Sequence, residues 1–124
     1  MTAKIAVIDD DAGIRRAIWN LLRSLGYAVD HFSSAEQFLE WENKNDACCV
    51  ITDMKMPGMN GIELQARLLA EGCRIPMIFM TAFPEESTKT QALNAGAAGF
   101  LTKPFPQQSL VSCLTEALRA RVTR

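Results

Sequence analysis

The 124-residue sequence lacks long apolar runs. No stretch approaches the roughly 18 consecutive apolar residues that a membrane-spanning helix needs. The apolar run that follows Lys4 has four residues, which is too short for a signal peptide. We therefore expect no membrane segment and a cytoplasmic protein.

The sequence also has little net charge. Thirteen Lys and Arg residues face fourteen Asp and Glu residues, which leaves a net charge of −1. A protein that binds a nucleic-acid backbone by itself usually carries a positive excess. Any DNA contact is therefore expected through another domain. The basic group at the end of the chain either favours the helix dipole or begins a linker; it comprises Arg119, Arg121 and Arg124.

Cysteine is sparse, and its spacing does not suit a metal site. The four cysteines form no C-x-x-C pair, and the adjacent Cys48 and Cys49 would point to opposite faces of a strand. We expect Cys48, Cys49, Cys73 and Cys113 to be buried, reduced thiols, which indicates a reducing compartment.

Short apolar runs alternate with helical patterns along the chain. Continuous apolar runs are typical of parallel strands that are covered on both faces. They occur at Ile5–Ile8, Cys48–Ile51 and Met77–Met80, with a weaker candidate at Gly99–Thr102. Tyr27–Phe32 is more polar and is expected at a sheet edge.

Five helices are predicted between and after these strands. Their starts and stops follow from capping residues, glycines and proline. They are Asp11–Leu25 before Gly26, a helix from Ser33 with a capping box to Glu36, a helix after Asn60–Gly61 that stops at Gly72, Glu85–Ala95 before Gly96, and a helix from about Pro106. The third helix is expected to bury Ile62, Leu64, Leu68 and Leu69.

These elements predict an α/β fold with a doubly wound, five-stranded parallel sheet. Right-handed crossovers place helices on both faces, and the strand order 2-1-3-4-5 of flavodoxin-like folds fits five βα units. We expect residues 1–124 to form a single domain with a core of about residues 4–118. Ligand chemistry is expected where strands one and three end.

Acidic residues follow both of these strands. Asp9 and Asp10 come after strand one, and Asp53 ends strand three. Adjacent strands lie about 4.8 Å apart, so these carboxylates should converge. Without a cation they would repel one another or take up a proton. Mg²⁺ is the cofactor that such short oxygen donors favour.

Strands four and five add Thr81 and Lys103 to the same edge. A carboxylate nucleophile near a hydroxyl and an ammonium group suits phosphoryl transfer, with Asp53 forming an acyl phosphate. Taken singly, each residue has a simpler explanation. Asp11 favours a helix N-cap over metal ligation, Thr81 could be a turn hydroxyl, and Lys103 could form an ion pair with Asp53.

In order and spacing, this pattern resembles the response-regulator receiver domains of two-component signalling over about Lys4 to Leu118. The motifs that carry the resemblance are Val7–Asp11 (VIDDD), Thr52–Gly61 (TDMKMPGMNG), Met80–Ala82 (MTA), Ala95–Phe100 (AGAAGF) and Leu101–Phe105 (LTKPF). The sequence is most similar to receivers that precede a LuxR-type DNA-binding domain.

The resemblance implies a role for each site residue. Asp53 would be the phosphoacceptor, Asp10 a direct metal ligand, Asp9 a ligand through water, and the Lys55 backbone carbonyl a further ligand. Thr81 and Lys103 would bind the phosphoryl group. Phe100 would be the aromatic switch residue, with core packing as the alternative. The Lys103–Pro104 peptide bond is predicted to be cis, since only X–Pro bonds adopt that isomer at low cost.

The resemblance also implies partners. The phosphoryl donor would be a sensor histidine kinase, because the single histidine, His31, is expected to be a solvated side chain rather than a relay group. Phosphorylation would promote a homodimer through the fourth helix, fifth strand and fifth helix. DNA would be reached only through an output domain that this chain does not contain.

Other functions remain open at this point. A haloacid-dehalogenase-type hydrolase needs a second Asp two residues after the nucleophile, where this sequence has Lys55. A pseudo-receiver that only binds partners is disfavoured by the complete set of site residues. We therefore expect a switch rather than an enzyme, as part of a transcription factor or as a free-standing regulator. Phe83 either shields the acyl phosphate or caps the fourth helix.

Overall fold

A five-stranded parallel sheet organises residues 3–122, the part of the chain that the computed structural model describes. The strands are β1 Lys4–Ile8, β2 Ala28–Phe32, β3 Cys49–Asp53, β4 Met77–Thr81 and β5 Gly99–Thr102. Their order in the sheet is β2-β1-β3-β4-β5, and every neighbouring pair is parallel. The predicted α/β, flavodoxin-like strand order is confirmed.

Helices cover both faces of the sheet. They are α1 Ala12–Ser24, α2 Ala35–Glu40, α3 Gly61–Ala70, α4 Glu86–Asn94 and α5 Gln107–Val122, with a 3₁₀ helix at Lys44–Asp46. Alternate strand residues face opposite sides. Ile5, Val7 and Ile51 pack with α1 and α5 on one face, whereas Ala6, Ile8 and Val50 pack with α2, α3 and α4 on the other.

The helix ends agree with most of the predicted caps. Asp11 caps α1, Asn60 and Glu63 form a reciprocal capping box on α3, and the predicted stop glycines Gly26, Gly72 and Gly96 have positive φ. The predicted capping box from Ser33 to Glu36 is wrong. Ser34 is the N-cap, and its hydroxyl accepts from the Gln37 N–H at 3.1 Å, so that α2 begins one residue later than predicted.

The buried face of α3 differs from the prediction. Leu69 is 40% exposed, because it lies beside Leu68 on the helix and the two cannot share the inner face. Gln65 is buried instead, and its side-chain amide donates to the Ala92 carbonyl of α4 at 3.1 Å. Of the nine residues of α4 only Ala92 is buried, so α4 is weakly anchored.

Two other predictions concern single side chains. All four cysteines are free, but only Cys49 is buried, and the other three are half-buried. His31 is exposed, as expected.

Between residues 3 and 122, no helix is both long and apolar enough to cross a membrane. Of the basic group at the end of the chain, Arg124 and the side chain of Arg121 fall outside the described structure.

Candidate functional site

Three aspartates meet at the carboxyl edge of the sheet. Asp9 directly follows β1, and Asp53 is the last residue of the neighbouring strand β3. One carboxylate oxygen from each of Asp9, Asp10 and Asp53 lies within 4.8 Å of the other two. The convergence predicted from the strand order is confirmed.

The ammonium group of Lys103 joins two of these carboxylates. Its Nζ lies 2.9 Å from Oδ2 of Asp9 and 3.2 Å from Oδ2 of Asp53. The backbone N–H of Lys103 donates to the Thr81 carbonyl at 2.8 Å, which fixes the chain after β5 to the end of β4. The ion pair with Asp53 that the sequence suggests is therefore present, and Asp9 is a second partner.

Asp9 is the most enclosed member of the group. Its side chain is fully buried, and Oδ1 accepts from the Asp11 N–H at 2.9 Å. Burial raises the pKa of Asp9, and the Asp53 carboxylate acts in the same direction. The hydrogen bonds from Asp11 and Lys103 lower the pKa but offset only part of this rise.

Lys103 keeps its charge in this setting. Burial by itself lowers the pKa of the ammonium group, but the hydrogen bond and charge of Asp9, together with Asp53, outweigh that effect. The pKa of Lys103 is therefore raised above its ordinary value of 10.5. A permanent positive charge is thus held at the phosphoacceptor candidate.

The next two acidic residues have separate roles. Asp10 is exposed, so its carboxylate faces solvent at the entrance to the group. Asp11 accepts from the N–H groups of Gly13 and Ile14 at 2.9 and 3.1 Å. Asp11 is therefore the N-cap of α1, which confirms the interpretation preferred from the sequence.

The hydroxyl group of Thr81 lies at the end of β4. Thr81 is 2% exposed, and its Oγ1 accepts from the backbone N–H of Phe83 at 3.2 Å. This contact uses an oxygen lone pair and leaves the hydroxyl hydrogen able to donate to another acceptor. The ring of Phe83 is 71% exposed.

The β3–α3 loop, residues 54–60, carries Lys55. The Lys55 N–H lies 3.4 Å from Oδ1 of Asp53, which keeps this backbone segment beside the carboxylate. The Lys55 side chain turns toward α4: Nζ lies 3.3 Å from Glu85 Oε1 and 5.7 Å from the centre of the Phe83 ring. Sequence patterns gave no sign of the Glu85 contact, because the two residues are 30 positions apart.

Gly61 allows α3 to start close to the phosphoacceptor candidate. Its N–H donates to the Met54 carbonyl at 3.0 Å. A Cβ atom at this position would lie 2.9 Å from the Asp53 carbonyl oxygen and 3.2 Å from the Phe79 ring. Only glycine fits here without displacing the backbone at Asp53.

Three further features surround the site. The Lys103–Pro104 peptide bond is cis, as predicted. Phe100 on β5 is half-buried, and the ammonium group of Lys89 lies 5.9 Å from its ring centre. Arg15, which sequence patterns did not indicate, donates to the Asp9 carbonyl at 2.6 Å and ties α1 to the end of β1.

The donor set fits a hard divalent cation. The converging carboxylates of Asp9, Asp10 and Asp53 provide oxygen ligands, and Mg²⁺ binds through few carboxylates while it keeps several waters. The Lys55 carbonyl belongs to the backbone segment held beside Asp53. These are the residues that would hold the ion.

Known proteins resemble this chain in sequence. The family described as "Response regulator receiver domain" matches residues 5–115. The response regulator protein TodT of Pseudomonas putida is 37% identical over 115 residues, which are 93% of this chain and 51% of TodT. The transcriptional regulatory protein FixJ of Bradyrhizobium diazoefficiens is 38% identical over 121 residues, 96% of this chain and 59% of FixJ.

Solved structures agree with the sequence matches. The response regulator StyR has a TM-score of 0.91 and 39% identity, over all of this chain and 63% of that chain. The structure titled FixJ-N has a TM-score of 0.85 and 29% identity, over 96% of this chain and 95% of that chain. The chain spans about half the length of curated relatives such as TodT. With the family match across most of the sequence, the chain belongs to the response regulator receiver domains.

Proposed function

We propose that this chain is a phosphoacceptor switch in which Asp53 receives a phosphoryl group from a sensor histidine kinase in the presence of Mg²⁺. One observation carries the proposal: three carboxylates converge within 4.8 Å, and the Lys103 ammonium contacts two of them. The family to which the chain belongs supports it.

The transfer follows from the positions of the side chains. A carboxylate oxygen of Asp53 forms a bond to phosphorus while the P–N bond of the donor phosphohistidine breaks, and the imidazole nitrogen keeps the electron pair. Mg²⁺ would neutralise phosphoryl oxygen charge from its ligands Asp9, Asp10, Asp53 and the Lys55 carbonyl. Lys103 holds a second phosphoryl oxygen.

Thr81 provides the remaining contact to the phosphoryl group. Its hydroxyl hydrogen is available while Oγ1 accepts from Phe83, so it can donate to a phosphoryl oxygen on Asp53. Such a charge-assisted hydrogen bond contributes about 1.5–3 kcal/mol. Movement of Thr81 toward Asp53 lets the half-buried Phe100 ring turn inward beside the small Ala82.

The expected output is a change at the surface formed by α4, β5 and α5. The weak anchoring of α4 makes it the element that rearranges at low cost. The active form pairs with a second copy of the chain through this surface. FixJ is a transcriptional regulatory protein by name, so the pairing would control a DNA-binding output domain. The chain acts in the cytoplasm as a switch, and not as an enzyme with turnover on an external substrate.

Intact mass spectrometry after incubation with Mg²⁺ and acetyl phosphate tests the phosphoacceptor role. A lasting gain of one phosphoryl group on the wild type, and none on Asp53→Asn, is expected. Unchanged mass in the wild type would support a binding-only module instead. Steady release of phosphate over many turnovers would support a hydrolase.

A further inference from the structure

A carboxylate outside the aspartate group contacts the β3–α3 loop. Glu36 is the second residue of α2, and its Oε2 accepts from the backbone N–H of Met59 at 3.0 Å. The neighbouring Gly58 has a φ of 78°. A Cβ atom at residue 58 would lie 2.6 Å from the same Glu36 oxygen. The carboxylate therefore packs directly against loop backbone, and a side chain at residue 58 would displace it.

Other contacts fix the ends of this loop. The Gly61 N–H closes the loop on the Met54 carbonyl at 3.0 Å, and the capping box of Asn60 and Glu63 fixes the start of α3. Glu36 adds a contact from a different helix at Met59, the sixth of the seven loop residues. The Lys55 carbonyl lies in the same seven-residue segment, so the shape of this segment sets where that carbonyl points.

We infer that Glu36 is a positioning residue for the metal site, because its carboxylate holds the β3–α3 loop in the shape that presents the Lys55 carbonyl to the ion. The inference rests on the proposed function, since the ion is the Mg²⁺ proposed there. Glu36 acts through the loop and does not touch the ion. The Met59 N–H holds the pKa of Glu36 below its ordinary value, so the carboxylate is ionised at neutral pH.

The coupling between Glu36 and the ion must be reciprocal. If the contact favours Mg²⁺ binding, then Mg²⁺ binding stabilises the contact by the same factor. The Met59 amide therefore exchanges with solvent more slowly when Mg²⁺ is present. This property is independent of phosphorylation, because it concerns the loop alone.

Isothermal titration with MgCl₂, without any phosphodonor, tests the inference. Glu36→Ala is expected to weaken Mg²⁺ binding roughly two- to fivefold, the lower part of the range for a single hydrogen bond, because the contact is exposed and acts on the ion only through the loop. Glu40→Ala is the matched control, since it removes the same charge from an exposed position one turn further along α2. Glu36→Asp keeps the charge but shortens the reach, and it is expected to behave like Glu36→Ala.

Hydrogen exchange of the Met59 amide gives the second readout. Exchange should be faster in Glu36→Ala than in the wild type, and Mg²⁺ should slow it in the wild type more than in the variant. Wild-type Mg²⁺ affinity in Glu36→Ala, or equal weakening in Glu40→Ala, would overturn the inference and leave the proposed function intact. Absence of Mg²⁺ binding in the wild type would overturn both.

Discussion

The ammonium nitrogen of Lys103 lies 3.2 Å from Oδ2 of Asp53, so the charge that would hold a phosphoryl oxygen already contacts the acceptor carboxylate. A second bond of 2.9 Å joins the same nitrogen to the fully buried Asp9. Lys103 therefore also stabilises the fold before any ligand arrives. It offsets the repulsion between two carboxylates that the strand order forces together.

Replacement of the Lys103 side chain should lower the free energy of unfolding, and Mg²⁺ should restore part of the loss. Lys103→Met leaves the buried Asp9 without its cation, and we expect a loss of about 2 kcal/mol in the free energy of unfolding. Mg²⁺ at ten times its dissociation constant should recover about 1.4 kcal/mol. Urea unfolding with and without MgCl₂ measures both effects. An unchanged midpoint in Lys103→Met without Mg²⁺ would contradict the expectation.

Removal of Asp10 should abolish phosphorylation with little effect on folding. Asp10 is exposed, so its loss leaves the core intact, but uncompensated carboxylates at Asp9 and Asp53 then repel the incoming phosphate dianion. Intact mass after incubation with Mg²⁺ and acetyl phosphate should show no phosphorylated Asp10→Ala. Asp46→Ala, an exposed aspartate before β3 at the other end of the sheet, is the charge-matched control. Normal uptake by Asp10→Ala would refute a role for Asp10 in metal binding.

The ring of Phe83 should lengthen the life of the phosphoryl group. The ring lies beside the Lys55 side chain, two residues after Thr81, and we expect it to limit the approach of water to a phosphorylated Asp53. Phe83→Ala should hydrolyse the acyl phosphate roughly two- to fivefold faster, a barrier change of ~0.4–1 kcal/mol. The decay of the phosphorylated mass measures the rate, and Leu93→Ala serves as a control for loss of an exposed apolar side chain on α4. Equal decay in Phe83→Ala and the wild type would contradict a shielding role for Phe83; the alternative role at the helix start is already excluded, because Glu85 is the N-cap of α4.

Phosphorylation should promote pairing of two chains. Beryllofluoride, which mimics the phosphoryl group, is expected with Mg²⁺ to shift the equilibrium toward a dimer by roughly ten- to hundredfold. Phe100→Ala should reduce the shift, because the residue can no longer couple Thr81 to the α4–β5–α5 surface. Sedimentation velocity measures the populations, with Asp53→Asn as the control that cannot be activated. A wild type that stays monomeric in both conditions would remove the support for pairing.

Cys49 should resist alkylation in the folded protein. Burial raises the pKa of its thiol from an ordinary value of 9.0 to about 12. Between pH 9.0 and about pH 12, the Cys49 thiol loses its proton in the unfolded chain but keeps it in the folded chain. The free energy of unfolding should therefore decrease as the pH rises through this range. Iodoacetamide at pH 8 should modify the half-buried Cys48, Cys73 and Cys113 first, and Cys49 only in denaturant. Peptide mapping of native protein that shows early modification of Cys49 would contradict this.

The sequence predicted the fold and the convergence of the aspartates because both depend on regular patterns. Apolar runs fixed the strands, and the strand order brought Asp9 and Asp53 together. Contacts made by single side chains across the structure were not predictable. Glu36 illustrates this: its spacing from Ser33 suggested a capping box, but the carboxylate contacts Met59, 23 residues away. Likewise, no sequence pattern indicated that Gln65 is buried, because its partner is the Ala92 carbonyl, 27 residues away.

The buried hydrogen bond between Gln65 and the Ala92 carbonyl has a mechanical consequence for α4. It holds the helix near its C-terminal end, whereas the N-terminal end is joined at the surface by the exposed pair of Lys55 and Glu85. We expect such a helix to tilt about its fixed C-terminal end. Nine residues span about 13 Å, so a tilt of about 10° displaces the free end by roughly 2 Å. With such a tilt, the residues nearest Asp53 would move furthest, and those beside α3 would stay in place.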